Sequence, residues 1–469
     1  MYSLLPFHFQ KFEDGELLVN ELGDFLFCPE GTASRIVRRE IDASEEIYQD
    51  LTANFFISTA PIPPLIDVMA ARLRTKKAFL DSFTALHIFV VTLRCNQNCR
   101  YCQASSQKET EMGKDMDAAT LLKAVELMFR SPSEHLTMEF QGGEPTLVPH
   151  LIRTAVEKAE ELNQNARKHL TYVICTNCVH LSEEILHLCE QYNILISTSL
   201  DGPAFLHNTN RGKADSYERV VNGIAVCRQR LGEDRVSALM TTSELSLDYP
   251  KEIVDAYRQN GFRSIFIRAL NPYGLASDNN DWESYTQRFI AFYKQALDYI
   301  IRINQSGEFF VEEFARILLQ KILTPFPIGF VDLQSPAGIV NSVVVYNYDG
   351  GVYASDESRM LAEKRDYTFR LGDIGSPYED LFYGKKAQEF SKCWATETIA
   401  GCSDCALQSY CGADPVRNYS TQGDLYGHRP TSLLCKKNKA IIEHILSLLK
   451  NRREEVMPIF TTWIRGRNA

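Results

Sequence analysis

No apolar run in the sequence approaches transmembrane length, and the opening residues carry no basic segment followed by an apolar one. Neither a membrane span nor a secretory signal is therefore expected. Basic charge is also in short supply: 50 lysines and arginines face 60 aspartates and glutamates, a net charge of −10. An acidic chain has no overall attraction to nucleic acid or to an anionic bilayer, so neither is expected as a partner. Internal repeats and low-complexity segments are missing too, which argues against solenoids and disordered tracts. What remains is an ordinary globular composition, 45% hydrophobic and 23% charged over 469 residues. That length predicts two or three domains and a core that needs no disulfide staples, in a cytoplasmic protein.

Cysteine is the exception. Thirteen are many for a chain in a reducing compartment, and an odd number suits a disulfide framework poorly. They gather at 95–102 and 402–411, with Cys435 following. Clustered thiols in such a compartment bind metal or do chemistry.

Three regions are visible. Residues 1–83 open with alternating apolar runs at 4–12, 17–21 and 24–28, parted by turn signals, and continue with helical patterns at 33–41 and 45–53. They predict a small α+β, winged-helix-like module, with PIPP at 61–64 as a breaker and linker. Residues 84–310 alternate strand and helix. Strands are expected at 86–93, 135–141, 170–176, 194–200, 236–242 and 264–269, and helices at 118–129, 151–161, 182–192, 217–230, 251–260 and 282–303. Six such units predict an α/β fold with a parallel sheet and right-handed crossovers. They are too few for a closed eight-fold barrel, so an open partial (β/α)6 barrel is expected, with its site beyond the carboxyl ends of the strands. Residues 311–450 are less periodic; 343–348 and 352–354 predict a hairpin about Asp349-Gly350-Gly351, and 440–449 a helix. Residues 451–469, with Arg452, Arg453, Arg465 and Arg467, are expected to be a solvated tail.

Cys95, Cys99 and Cys102 form a C-x3-C-x2-C run directly after the first barrel strand. Iron–sulfur clusters ordinarily take four thiolates. Three thiolates hold three irons of a cubane and leave the fourth open to a small molecule, as the open position of a catalytic zinc does. A structural zinc site is the competing reading, but no fourth ligand follows nearby. Gln141-Gly142-Gly143-Glu144-Pro145 comes after the second strand, its glycines permitting close backbone approach.

C-x3-C-x-Tyr-C after an apolar strand, with Gly-Gly-Glu-Pro after the next, resembles the radical S-adenosylmethionine (SAM) superfamily. The resemblance implies a [4Fe–4S] cluster on Cys95, Cys99 and Cys102 that binds SAM and cleaves it to a 5′-deoxyadenosyl radical. It further implies that Tyr101 packs against the adenine and that Gln141, Gly142, Gly143, Glu144 and Pro145 line SAM. Glu144 would then accept a hydrogen bond from the SAM ammonium. Thr176-Asn177-Cys178 is similar to the Thr-Asn-Gly segment of peptide-modifying members, which gives Asn177 a contact to SAM or substrate. Ser199 and Arg211 would bind ribose or carboxylate, and Arg268 would border the adenine; a buried serine and surface arginines are the plain alternatives. Cys175 and Cys178 have CxxC spacing but end an apolar strand, and read as buried thiols.

Cys402, Cys405, Cys411 and Cys435 supply four thiolates, which suit structural zinc or a cluster with no open iron. The run resembles the SPASM extension of peptide-modifying radical SAM enzymes, which carries auxiliary [4Fe–4S] clusters. Full SPASM domains use seven cysteines for two clusters; here the first cluster's positions fall on Ser335, Ser355 and Pro415. One auxiliary cluster is therefore expected, with Cys393 either a ligand of a rearranged site or a core thiol. Asp356 matches an acidic position of the sulfatase-maturing branch. The resemblance makes it the expected catalytic base, with a solvated loop aspartate as the alternative.

The N-terminal module resembles a leader-peptide recognition domain, which works by strand addition at a hairpin edge; a packing cap on the barrel is the alternative. GCSDCALQSYCGADP and GHRPTSLLCKKN, with the N-terminal LLPF run and the cysteine loop, are similar to the His-Xaa-Ser system radical SAM maturases (HxsB type). That family implies a ribosomally made precursor peptide, an operon-encoded partner protein and a reductant such as flavodoxin or ferredoxin. The expected reaction is hydrogen abstraction from a precursor side chain and formation of a carbon–carbon crosslink, with the auxiliary cluster taking the second electron. Formylglycine formation, thioether formation and epimerisation are alternatives. So are a non-catalytic iron–sulfur scaffold and an enzyme acting on a small molecule.

Overall fold

The protein is described by a computed structural model covering residues 2–278 and 281–466. Strands of the two larger sheets are labelled in chain order.

β1 (Phe7–Phe12), β2 (Gly15–Asn20) and β3 (Phe25–Pro29) form an antiparallel sheet in that order. Leu18, Cys28, Ile36, Leu51 and Phe56 close a small core between this sheet and the helices Thr32–Arg38 and Glu46–Ala53. The expected linker at PIPP is instead the start of a helix, Ile62–Lys76. Pro63 and Pro64 stand in its first turn, where backbone N–H groups have no intrahelical partner, so proline costs no hydrogen bond.

β4 (Leu86–Thr92), β5 (His135–Gly142), β6 (His169–Cys175), β7 (Leu195–Ser199), β8 (Val236–Thr242) and β9 (Ile267–Ala269) follow as parallel neighbours in chain order. Their apolar side chains, among them Phe89, Phe140, Ile174 and Ile196, are wholly or almost wholly buried, as parallel strands covered by helices require. Two of the covering helices start on side-chain caps: Asp117 accepts from the Thr120 amide and Ser182 from the Ile185 amide. The sheet then continues beyond the six units. β10 (Val343–Tyr346) pairs parallel with the other edge of β4, and β11 (Gly351–Tyr353) and β12 (Arg370–Asp373) extend it antiparallel. The result is one open mixed sheet of nine strands, order β9-β8-β7-β6-β5-β4-β10-β11-β12. The predicted hairpin is present, its turn made by Gly350 at φ +84° and by Asp349, whose carboxylate accepts the Gly351 amide at 3.0 Å.

Residues 451–466 differ from the expected solvated tail, while Arg467 lies outside the described residues. Arg453–Arg465 is a helix. Val456, Phe460 and Trp463 are buried, and the Trp463 indole donates to Asn304 Oδ1 at 3.3 Å. Its arginines fill the solvent face, and the apolar stripe between them seats the helix on Trp282–Gln305 and Glu313–Leu323. Among the described residues no helix is long and apolar enough to cross a membrane.

Candidate functional site

The carboxyl ends of β4 to β8 surround a cavity of about 220 Å³. Cys95, Cys99 and Cys102 line it, with Tyr101, Gln141, Gly142, Gly143, Asn177, Ser199 and Arg211. Nearly all residues singled out around the first cysteine motif therefore meet at one place. Glu144 and Pro145 stand behind the wall, and Arg268 lines a neighbouring basin.

The cysteine loop is held from three sides. A Cβ on Gly143 would lie 2.3 Å from the Arg94 carbonyl and 2.4 Å from that of Leu93. One on Gly142, at φ +148°, would lie 1.9 Å from the Thr92 carbonyl. The glycines thus serve the approach of the second-strand turn to the root of the cysteine loop, sealed by amide bonds from Gly143 to Thr92 O at 2.9 Å and from Glu144 to Arg94 O at 2.8 Å. On the second side, Glu144 is almost fully buried. It accepts from the hydroxyls of Thr146 at 2.6 Å and Thr176 at 2.7 Å and from the Asn177 amide at 2.8 Å. Burial pushes its carboxyl up, and these donors oppose the shift. Its role in this arrangement is to fix Asn177, whose side-chain amide donates to Asn96 Oδ1 at 2.7 Å.

The third support was not singled out in the sequence. Asp201, fully buried just past β7, accepts the Tyr101 hydroxyl at 2.7 Å. It also forms a two-pronged pair with Arg211, Nε to Oδ2 at 2.9 Å and Nη2 to Oδ1 at 2.8 Å. Burial works to raise the Asp201 carboxyl, but Arg211 and His207 carry it below the usual carboxylate range. The guanidinium lies 5.4 Å from the centre of the Tyr101 ring and reaches Cys99 Sγ at 3.7 Å. His207 accepts the Asp201 amide at 3.2 Å and meets Ser216, which accepts from Gln97 at 2.9 Å. Backbone bonds from Asn98 to Arg211 O and Arg100 to Asn210 O complete the seam.

These thiols suit metal ligation. The Gln97 and Ser106 amides point at Cys95 and Cys102 sulfurs at 3.4 Å. Burial pushes the Cys95 thiol up to about 12 and raises Cys99 against the pull of Arg211, so ionisation calls for a cationic centre among them. Among the described residues no three His, Cys, Asp or Glu side chains form a single-ion site. The three cysteines border the cavity instead, an arrangement that suits a multi-iron cluster with one iron left open.

Behind the cavity, Glu139 accepts from Gln141 at 2.6 Å and from the Cys175 thiol at 3.4 Å. Cys175 lines the cavity and differs in this from a merely buried thiol. Cys178 is buried at φ +53°, a backbone state that favours glycine. Asp356 opens the helix Asp356–Ala362 and pairs with Arg359 at 3.3 Å. Its charge acts on Glu139 and Cys175. Arg359 in turn donates to the Ala104 carbonyl at 3.0 Å, two residues after Cys102 closes the cysteine motif.

Cys402, Cys405, Cys411 and Cys435 are mutual neighbours: the other three all act on Cys402, which burial pushes up to about 11. The Leu407 amide points at Cys405 Sγ at 3.4 Å and Asn438 at Cys411 Sγ at 3.7 Å. Cys393 is fully buried, and its thiol donates to Phe390 O at 3.2 Å. Ser335 bonds Glu397 and Thr396, Ser355 caps the helix Asp356–Ala362, and Pro415 opens the helix Pro415–Gln422.

Residues 89–257 match the family described as the Radical SAM superfamily. A cysteine-type anaerobic sulfatase-maturating enzyme of Clostridium perfringens is 23% identical over 373 residues, 76% of this chain and 95% of that one. The solved structure of native anSMEcpe with bound AdoMet superposes with a TM-score of 0.64 at 19% identity, covering 79% of this chain and 99% of that one. Streptococcus suis SuiB bound to precursor peptide SuiA gives 0.52 at 14% identity, covering 93% and 100%. At these identities the structural likeness speaks for the fold.

Proposed function

From the premise that the protein is an enzyme with a radical SAM domain over residues 89–257, we propose that it is a maturase of a ribosomally made precursor peptide that forms a side-chain carbon–carbon crosslink. The observation that carries this reading is the meeting of Cys95, Cys99 and Cys102 with the Gly142-Gly143 turn at one cavity beyond the strand ends. A [4Fe–4S] cluster held by Cys95, Cys99 and Cys102, with SAM, would supply radical chemistry there, namely hydrogen-atom abstraction from a substrate side chain.

Cys95, Cys99 and Cys102 hold the cluster. Asp201, Tyr101 and Arg211 keep their loop in place, and the Arg211 guanidinium beside Cys99 stabilises negative charge on sulfur. Gln141, Asn177 and Ser199 present polar groups to SAM, and Arg268 borders the adjoining basin. Glu144 is a positioning residue that acts through Asn177. Closing a carbon–carbon bond after hydrogen abstraction requires loss of one more electron, which the auxiliary cluster assigned to Cys402, Cys405, Cys411 and Cys435 would accept, and of one proton. Asp356, paired with Arg359, is the carboxylate that takes the proton.

Cys402, Cys405, Cys411 and Cys435 are assigned to one auxiliary [4Fe–4S] cluster. The N-terminal module is assigned to leader recognition. β3 is an end strand of its sheet, while the β1–β2 hairpin is tied to the helix Leu433–Asn451 through Gln10–Glu443 and Glu13–Ser447. An extended leader adding to the outer edge of β3 fits that arrangement, and the likeness to SuiB bound to its precursor peptide favours a peptide substrate. A flavodoxin or ferredoxin serves as reductant in the cytoplasm, with an operon-encoded partner protein.

Iron and sulfide in anaerobically reconstituted protein test the assignment. About eight irons are expected in wild type and about four in a Cys95/Cys99/Cys102→Ala variant. About four in wild type and none in the variant would remove the auxiliary cluster. Wild type without iron would sink the whole reading.

A further inference from the structure

A second basin lies between the end of β9, the start of the helix Asp356–Ala362, and the helices Pro415–Gln422 and Leu433–Asn451. Three carboxylates line it: Asp332 at its mouth, and Glu357 and Asp414 further in. Asp414 caps the Arg417 amide at 2.8 Å. Burial, and after it the nearby charges of Asp332, Asp356 and Asp414, push the Glu357 carboxyl well above the usual range. The surroundings of Glu357 therefore call for a positive group.

The cations of the same wall do not meet that need. Arg417 donates to Asn271 at 3.0 Å and lies over the rings of Tyr273 and Trp282 at 6.0 and 5.8 Å. Arg268 lies 5.7 Å from the Phe266 ring, and its charge acts on Glu139 in the barrel interior. Lys437 acts on Asp332 and Asp414, and Arg417 also acts on Asp414, which leaves Glu357 as the carboxylate with no cation among its strongest charged neighbours. An independent observation points the same way. Asn438 is 4% exposed and lines the basin. Its amide nitrogen is engaged by Cys411 Sγ at 3.7 Å, while its carbonyl oxygen has no partner. A buried acceptor left open is costly unless something donates to it. Aromatic rings, Phe266, Phe314, Phe330 and Tyr273, form the remaining wall, and their faces favour a cation.

We infer that this basin binds the cationic head of a lysine or arginine in the substrate peptide, with Glu357, Asp332 and Asn438 Oδ1 as acceptors. The inference rests on the peptide-maturase reading and adds a sequence requirement to it. A basic residue anchored beside Arg268 and Asp356 would set which neighbouring residue reaches the radical.

The test uses reconstituted full-length protein and three probes: N-acetyl-arginine amide, N-acetyl-lysine amide and the uncharged N-acetyl-citrulline amide. Calorimetric titration should show saturable binding of a basic probe and at least about ten-fold weaker binding of citrulline amide, the loss expected when a charge-assisted hydrogen bond disappears. Glu357→Gln should weaken the basic probe by a similar factor, and Glu357→Asp should recover part of it. Equal binding of arginine and citrulline amides, no binding of either basic probe, or an unchanged Glu357→Gln variant would each overturn the inference. The citrulline comparison needs only wild type, so misfolding of a variant leaves the test intact. Formation of 5′-deoxyadenosine from SAM and dithionite is measured in the same samples. Its absence counts against the radical reading, whereas cation binding reports on the basin alone.

Discussion

Replacing Asp201 by asparagine keeps the side chain's shape and removes its charge. Arg211 then keeps at most one neutral acceptor, the carboxamide oxygen, in place of a two-pronged carboxylate pair at 2.8 and 2.9 Å, at a site where the Asp201 and Arg211 side chains are 0% and 9% exposed. An uncompensated buried charge costs about 3–5 kcal/mol. Arg211→Leu should cost about as much, because it leaves the Asp201 carboxylate buried with only the Tyr101 hydroxyl and the weak 3.4 Å contact from the Thr241 amide. In the double variant neither charge remains, so its cost should fall short of the summed singles by about 3 kcal/mol or more. Urea unfolding of wild type, both singles and the double measures this directly. The singles should also bind less iron, because the seam they break carries Cys99. Additivity to within about 0.5 kcal/mol, or singles costing under about 1 kcal/mol, would refute the view that this pair is the brace of the cysteine loop.

Three further outcomes are expected. Gly143→Ala must open contacts of 2.3 and 2.4 Å to backbone oxygens; overpacking of this kind costs about 1–3 kcal/mol, and iron in the reconstituted protein should drop while the Cys402 set keeps its share. His87, fully buried between Tyr346 and the Thr84 carbonyl, is depressed to about 3 by burial. A depressed histidine is neutral in the fold while the unfolded chain takes up a proton, so this contribution is lost as pH falls from about 6.5 toward 3. Between pH 6.5 and 5 wild type should lose up to about 2 kcal/mol more than His87→Gln, and parallel stability curves would contradict it. Trp463→Ala should cost about 3–5 kcal/mol in thermal or urea unfolding, whereas a surface tail would cost next to nothing.

The six parallel strands were legible because each is a short apolar-rich segment, continuous in Leu86–Thr92 and alternating in Leu195–Ser199 and Val236–Thr242, followed by a helical pattern, and the site because its glycines and cysteines follow strand ends. What stayed hidden depends on partners far away in sequence. Val343–Tyr346 reads locally as half of a hairpin, and nothing in it tells that its other edge lies against Leu86–Phe89. Asp201 sits in plain view in Ser-Leu-Asp-Gly-Pro, but its burial follows from Arg211 folding back ten residues later. The last helix did carry a signal: Val456, Phe460 and Trp463 fall at i, i+4 and i+7, masked by the arginines around them. Cys175 reads as a buried thiol because it ends an apolar strand; the alternation of side chains in β6 turns it inward beside Glu139.

The pairing of β10 with β4 has a consequence during translation. As β4 leaves the ribosome it finds β5 within some tens of residues, but its opposite edge waits for β10, roughly 250 residues later. At about 5–20 residues per second, that edge stays open for roughly 10–50 s. An unpaired edge strand is a template for pairing with other chains, and this one ends at Thr92, three residues before Cys95. The nascent barrel therefore passes through a long interval with its cysteine loop formed on one side only. Slowing synthesis between codons 92 and 343 should lower soluble yield more than slowing it elsewhere.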